Sequence, residues 1–217
     1  MKVHVCFDGR RLLRYTGTTL LIGGLVAVGT WAWFLAEGRV YQAAQNESFE
    51  RVLAPHAALD RPINNRPQAD NLPYLDPRII GRLEIPRIAL TVLVREGVDA
   101  ASLRKAVGHL PSSSPLGESG NFVVLGHRDT FFRPLRDIAL GDLVRMRTRE
   151  GVIEYEVESV FVVEPDQALT MEVKTGSYAT LITCFPFNFV GPSPRRFVVR
   201  ARRRMEPHVQ RQQTEGS

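Results

Sequence analysis

Between Tyr15 and Ala36 the chain runs for about 22 residues without a charge, YTGTTLLIGGLVAVGTWAWFLA. A helix that crosses a bilayer needs roughly 20 predominantly apolar residues. The stretch therefore predicts a membrane span, and it forces the rest of the chain onto one side or the other. Lys2, Arg10, Arg11 and Arg14 precede it against one acid, Asp8, whereas Glu37 and Arg39 after it nearly cancel. The positive-inside bias puts the N-terminus in the cytoplasm and everything past Ala36 outside. Trp31, Trp33 and Phe34 suit an aromatic belt at the outer interface. A cleaved leader would have an apolar region of about 7–15 residues ending in small side chains. Phe34 and Leu35 stand where those would be, so the segment reads as an uncleaved anchor.

That topology separates the two cysteines, Cys6 inside and Cys184 outside, so they cannot pair. An unpaired extracytoplasmic thiol is a liability unless it is buried or used. The net charge is +5 and its arginines crowd the two ends of the chain. No zinc-finger spacing, helix-turn-helix pattern or aromatic-basic interleave accompanies them, so nucleic acid is not the expected partner. Charges that orient the chain in a membrane and solubilise a tail explain the balance better.

The organisation expected is a cytoplasmic tail over 1–14, the anchor over 15–36, a stalk and linker over 37–76, a β domain over 77–205 and a disordered tail over 206–217. Residues 37–59 have roughly helical spacing. RPINNRPQADNLPYLDP then breaks regular structure, and Asp76-Pro77 reads as a plain turn before the first strand. From Pro77 short β-type runs alternate with turn signals. Ile79–Ile85, Ile88–Val94, Phe122–Leu125, Asp142–Thr148, Val152–Val163, Tyr178–Thr183 and Phe197–Arg202 are the candidate strands. Asp99–Val107 is a short helix with Asp99 as its N-cap. A mostly β chain of this kind makes a barrel or a sandwich.

Two segments could carry chemistry. In VVLGHRDTFFRPL, His127 follows a buried strand and Gly126; in TLITCFPFNFVGPSPRRF, Cys184 ends another, and Arg196 opens the last strand. A thiolate is a nucleophile, an imidazole can take the thiol proton and return it to a leaving amine, and a guanidinium can stabilise oxyanion charge. Each residue also has a bland reading: a buried inert thiol, a surface histidine satisfied by Asp129, an edge-strand arginine. Asp129 fits an ion pair with Arg128 better than a bond that orients His127. No calcium cluster or zinc spacing is present, and no cofactor is expected.

TLITC followed by a proline-containing loop and an arginine-led strand resembles the sortase signature. GHRDTFFRPL resembles that family's histidine segment in its class D form. GRLEIPRIAL, SPLGESGNFVVLGH and PFNFVGPSPRRF extend the resemblance from about Gly81 to about Ala201. The resemblance implies a closed eight-stranded sortase β-barrel with short helices, in which Cys184 is the nucleophile, His127 the acid-base partner and Arg196, ahead of Arg195, the cation. It implies cleavage of an LPxTG-like sorting signal at its threonine through a thioester. Transfer would follow to an amine acceptor such as a peptidoglycan precursor or a lysine side chain. Leu181, Thr183, Phe185 and Phe187 are the expected groove residues, and surface proteins bearing sorting signals are the expected partners. The final EPHVQRQQTEGS lacks the second apolar helix of the pilus-building branch, which favours housekeeping anchoring or a specialised substrate over pilus polymerisation. Left open beside transpeptidation are a cysteine hydrolase, a non-catalytic envelope peptide-binding barrel and a redox thiol protein.

Overall fold

The computed structural model describes residues 9–57, 75–170, 176–189 and 191–204. Cys6, the linker over 58–74 and the tail beyond Arg204 lie outside these residues. Helix α1 spans Gly9–Ala57, and no break separates anchor from stalk. It is long and apolar enough to cross a membrane, and its most apolar window is buried against nothing.

The strands are β1 (Ile79–Ile85), β2 (Leu90–Glu96), β3 (Val107–His109), β4 (Gly120–Leu125), β5 (Leu143–Arg147), β6 (Val152–Val163), β7 (Ser177–Phe185) and β8 (Arg195–Arg203). Helix α2 covers Ala100–Lys105 and α3 covers Gln167–Thr170. The strands close into a barrel in the order β1-β2-β3-β4-β7-β8-β6-β5, the eight-stranded architecture expected. The β2/β3 and β4/β7 pairs are parallel and the rest antiparallel.

Alternation decides what fills the barrel. In β1, Ile79, Gly81, Leu83 and Ile85 are buried while the residues between them are half-exposed. Leu83 and Ile85 meet Val92, Val94, Phe122, Val124, Met146, Tyr155, Leu181 and Val199 inside. Each such side chain, fully buried, stabilises by about 1.5–3 kcal/mol. β2 and β7 are buried on both faces, because other elements cover their outer sides. That is why they read as unbroken apolar runs.

α1 covers β2. Phe49, 1% exposed, packs with Leu93 and Ile79. Gln42 donates to the Lys105 carbonyl at 2.8 Å and accepts the Leu93 amide at 2.9 Å. Asp76 is more than a plain turn residue. Its carboxylate accepts from Tyr41 Oη at 2.7 Å and pairs with Arg95 at 2.9 Å, and its amide donates to Gln45 at 2.9 Å. Burial pushes that carboxyl's pKa up, but the Arg78 amide, Tyr41 and Arg95 together bring it below its ordinary value. The helix also comes very close to the barrel at Gly38. A Cβ there would lie 2.7 Å from the Arg104 carbonyl oxygen and 3.1 Å from the Phe131 ring.

Asp99 caps α2 as expected, accepting from the amides of Ala101 and Ser102 at 3.0 Å each. α2 stops at Lys105, and the residues beyond it form β3, which carries the sheet across to β4.

Candidate active site

The pairing of three strands brings the sequence-distant candidates together. β7 and β8 run antiparallel with Cys184 opposite Arg196 and Phe185 opposite Arg195. Directly opposed residues share a face, with Cβ atoms about 4.5–5.5 Å apart. The sulfur and the Arg196 side chain therefore leave the sheet on one side. Arg195 faces the other way, with its guanidinium 5.3 Å from the Phe185 ring centroid.

On its other flank β7 runs parallel to β4, and the ladder ends at Leu125 opposite Ile182. One residue further on, the Gly126 amide donates to the Ile182 carbonyl at 3.1 Å. The buried Thr183 hydroxyl donates to the Gly126 carbonyl at 2.7 Å. This stitch sets the backbone of His127 down beside that of Cys184. His127 is exposed, and Cys184 and Arg196 are half-buried, so a peptide could reach all three.

The turn after His127 is held from below. Phe132, fully buried, donates its amide to the His127 carbonyl at 3.1 Å. Gly126 is glycine for lack of room. A Cβ would lie 2.6 Å from Phe132 Cδ2 and 2.8 Å from Val107 Cγ1. The Arg196 guanidinium is itself held, Nη1 donating to the carbonyls of Ser193 at 3.2 Å and Arg195 at 3.1 Å.

The expected groove residues are placed differently. Leu181 is 0% exposed inside the barrel, and Thr183 is 2% exposed with its hydroxyl already bonded. Neither can line a groove; this corrects the expectation, and parity is the reason. Residues i and i+2 of a strand share a face, so Ile182 and Thr180 share the Cys184 side while Leu181 and Thr183 point inward. On that outer face Ile182 is itself buried, in a second apolar cluster with Val198, Val123 and Ala168, with Leu125 and Phe161 packed alongside. α3 brings Ala168 there.

Phe185 and Phe187 lie in an aromatic cluster with Phe197. Ring centroids are 6.1 Å apart for Phe185–Phe187, 6.2 Å for Phe185–Phe197 and 5.1 Å for Phe187–Phe197. Phe187 and Phe197 pack against the barrel core. This plugs the barrel under the β7–β8 loop.

Sequence reasoning missed most of what holds Arg128. It forms the ion pair expected with Asp129, at 3.4 Å, and its guanidinium also enters the loop after Cys184, which the sequence did not show. Among the described residues no group of histidine, cysteine and carboxylate side chains is arranged to hold a metal.

A family model describing the sortase domain matches residues 83–204, more than half of the chain. The chain belongs to the sortase family. It is 33% identical over 144 residues to Sortase D of Bacillus subtilis (strain 168), covering 64% of this sortase and 73% of that relative. Among solved structures it is similar to sortase C1 of Streptococcus suis, with 31% identity and a TM-score of 0.55, covering 61% and 76% of the two chains. The Sortase D5 transpeptidase of Clostridium perfringens shares the fold at 21% identity and a TM-score of 0.55, covering 78% and 99%. The sortase is thus class D-like, in a family of cysteine transpeptidases of the cell envelope.

Proposed function

We propose that this sortase joins a sorting-signal peptide to an amine through a thioester on Cys184. The observation that supports this reading most is the register that sets Cys184 opposite Arg196, with the His127 turn stitched to the neighbouring strand. The His127 imidazole takes the thiol proton, and the sulfur attacks the carbonyl of the threonine in an LPxTG-like signal. Arg196 faces the developing oxyanion. As the intermediate collapses, the carbon–nitrogen bond breaks and His127 returns the proton to the departing amine. An acceptor amine, on a peptidoglycan precursor or a lysine side chain, then attacks the thioester. A new amide forms, the sulfur leaves, and the acceptor's proton passes to His127.

α1 would hold the enzyme in the cytoplasmic membrane with its N-terminus inside and the barrel outside. The test uses the full chain in lipid nanodiscs with a quenched LPxTG-like peptide, with and without an amine. An amine-dependent amide product is expected. Cys184→Ala and His127→Ala should abolish it, and Arg196→Lys should lower kcat at least tenfold, because an ammonium does not reproduce the planar fork of a guanidinium. Cleavage that ignores the amine would mean a hydrolase. Product made by Cys184→Ala would overturn the whole reading.

A further inference from the structure

Arg128 follows His127 directly, yet its side chain turns away from solvent and is only 6% exposed. Nη1 donates to the Pro186 carbonyl and to Ser193 Oγ, both at 2.9 Å. Nη2 donates to the carbonyls of Phe189 at 2.5 Å and Gly191 at 3.2 Å. The Phe189 ring centroid lies 5.8 Å from the guanidinium carbon. Ser193 passes the connection on in both directions. Its hydroxyl donates to the Phe185 carbonyl at 2.5 Å, next to Cys184, and its carbonyl accepts from Arg196 Nη1 at 3.2 Å.

Four acceptors on the connection between β7 and β8 therefore converge on one side chain of the histidine segment. Inward-turned carbonyls need donors, since a buried backbone acceptor left unpaired costs free energy. A planar, permanently charged fork with five N–H groups can serve several at once, and bonds to an ionised donor are the stronger kind. An ammonium offers three donors at one point and cannot span these positions.

We propose that Arg128 is a positioning residue that locks the β7–β8 connection to the histidine turn, fixing Cys184, His127 and Arg196 relative to one another. The inference rests on the catalytic reading of those three residues. Without the Arg128 guanidinium, Ser193 and the carbonyl flanking Cys184 lose their common anchor, and the Ser193 carbonyl that holds Arg196 Nη1 is no longer fixed. A misplacement of about 1 Å at a reacting centre costs on the order of 100-fold in rate.

The test compares wild type with Arg128→Gln, Arg128→Lys and Ser193→Ala, each full-length in nanodiscs. For each, kcat and KM are measured separately, together with Cys184 alkylation by iodoacetamide and hydrogen exchange. Arg128→Gln should lower kcat about 30–300-fold while KM moves less than about threefold. Exchange in peptides between Phe185 and Arg195 should rise at least tenfold with β1, β2 and β6 unchanged, and Arg128→Lys should restore no more than about a tenth of the lost rate. A kcat within threefold of wild type, an unchanged exchange pattern, or exchange raised evenly through the barrel would overturn the proposal. If Arg128→Gln does not fold, Ser193→Ala decides. It breaks the relay to Phe185 but leaves three carbonyls on Arg128, so a three- to tenfold fall in kcat supports the lock and no fall overturns it. If wild type itself turns over no sorting signal, the proposed function fails separately. The lock is then judged on exchange between Phe185 and Arg195 and on the alkylation rate. A tenfold change in both upholds it, and anything less ends it.

Discussion

Gly126→Ala isolates the room allowed beneath the histidine turn. Gly126 does not have the left-handed backbone that favours glycine, so strain in φ is not at issue. The added methyl would sit 2.6 and 2.9 Å from Phe132 Cδ2 and Cγ and 2.8 Å from Val107 Cγ1. Carbon atoms rest about 3.5–4.0 Å apart, so the neighbours must yield by about 1 Å. Phe132 and Val107 are both 0% exposed and have no solvent side to move into. Overpacking of this kind costs about 1–3 kcal/mol. At about 3–4 °C per kcal/mol for a domain of this size, Tm should fall by roughly 3–12 °C. A domain stable by about 5–15 kcal/mol stays largely folded after such a loss. Yet Phe132 holds the His127 carbonyl at 3.1 Å, so kcat should drop on the order of tenfold to 100-fold, more than the unfolded fraction explains. In a Phe132→Ala background two of the three close contacts are gone and only that with Val107 remains. Gly126→Ala should there cost less than it does in wild type, a non-additivity expected of residues in contact. Calorimetry and peptide turnover on the four variants read this out. A Tm within 1 °C of wild type and an unaltered kcat for Gly126→Ala would refute the reasoning.

Two further perturbations probe the scaffold. The Asp142 carboxylate is held below its ordinary pKa, first by its hydrogen bonds to Arg87 and further by the Ala139 amide, which outweigh the opposing effect of burial. Its stabilisation is therefore complete above about pH 3.9, the unfolded value, and is lost as pH falls through the lower folded value. Asp142→Asn should lower stability near neutral pH and flatten the acid limb of a Tm–pH curve below about pH 4; parallel curves would reject the assignment. Gly38→Val should drive α1 off α2, since the Cβ meets the Arg104 carbonyl oxygen at 2.7 Å. Amide exchange at Leu93 and in α2 should then rise about tenfold, which is ~1.4 kcal/mol of local opening. Unchanged exchange at both places would refute it.

Much of the barrel was legible because period-two alternation is a strong signal. Ile79–Ile85 and Val152–Val163 form strands over the residues expected. The strand expected at Ile88–Val94 begins at Leu90 instead, because Pro86–Ile88 winds into a 3-10 turn and Ala89 takes a left-handed φ of 50°. β3 went unseen, since three residues carry no periodicity and its partners are distant in sequence. α3 is equally short. The stalk read as a simple spacer because its contacts are made largely by polar side chains, Tyr41, Gln42 and Gln45, which an apolar pattern does not reveal. At the site, the residue types and their spacing singled out His127, Cys184 and Arg196, and strand register supplies their juxtaposition. The ion pair expected between Asp129 and Arg128 is present at 3.4 Å. The other partners of Arg128 were not legible, because most are carbonyls, which every residue has and no sequence marks.

The join between α1 and the barrel leaves no swivel. Gly38 is two residues beyond Ala36, about 3 Å along a helix, and at that level the helix already touches Phe131, four residues after His127. With its apolar portion in a bilayer, such a shaft would hold the barrel, and Cys184 with it, at a set height and give it little slack to reach outward. On the proposed reading, both reactants would have to come to that height to be joined.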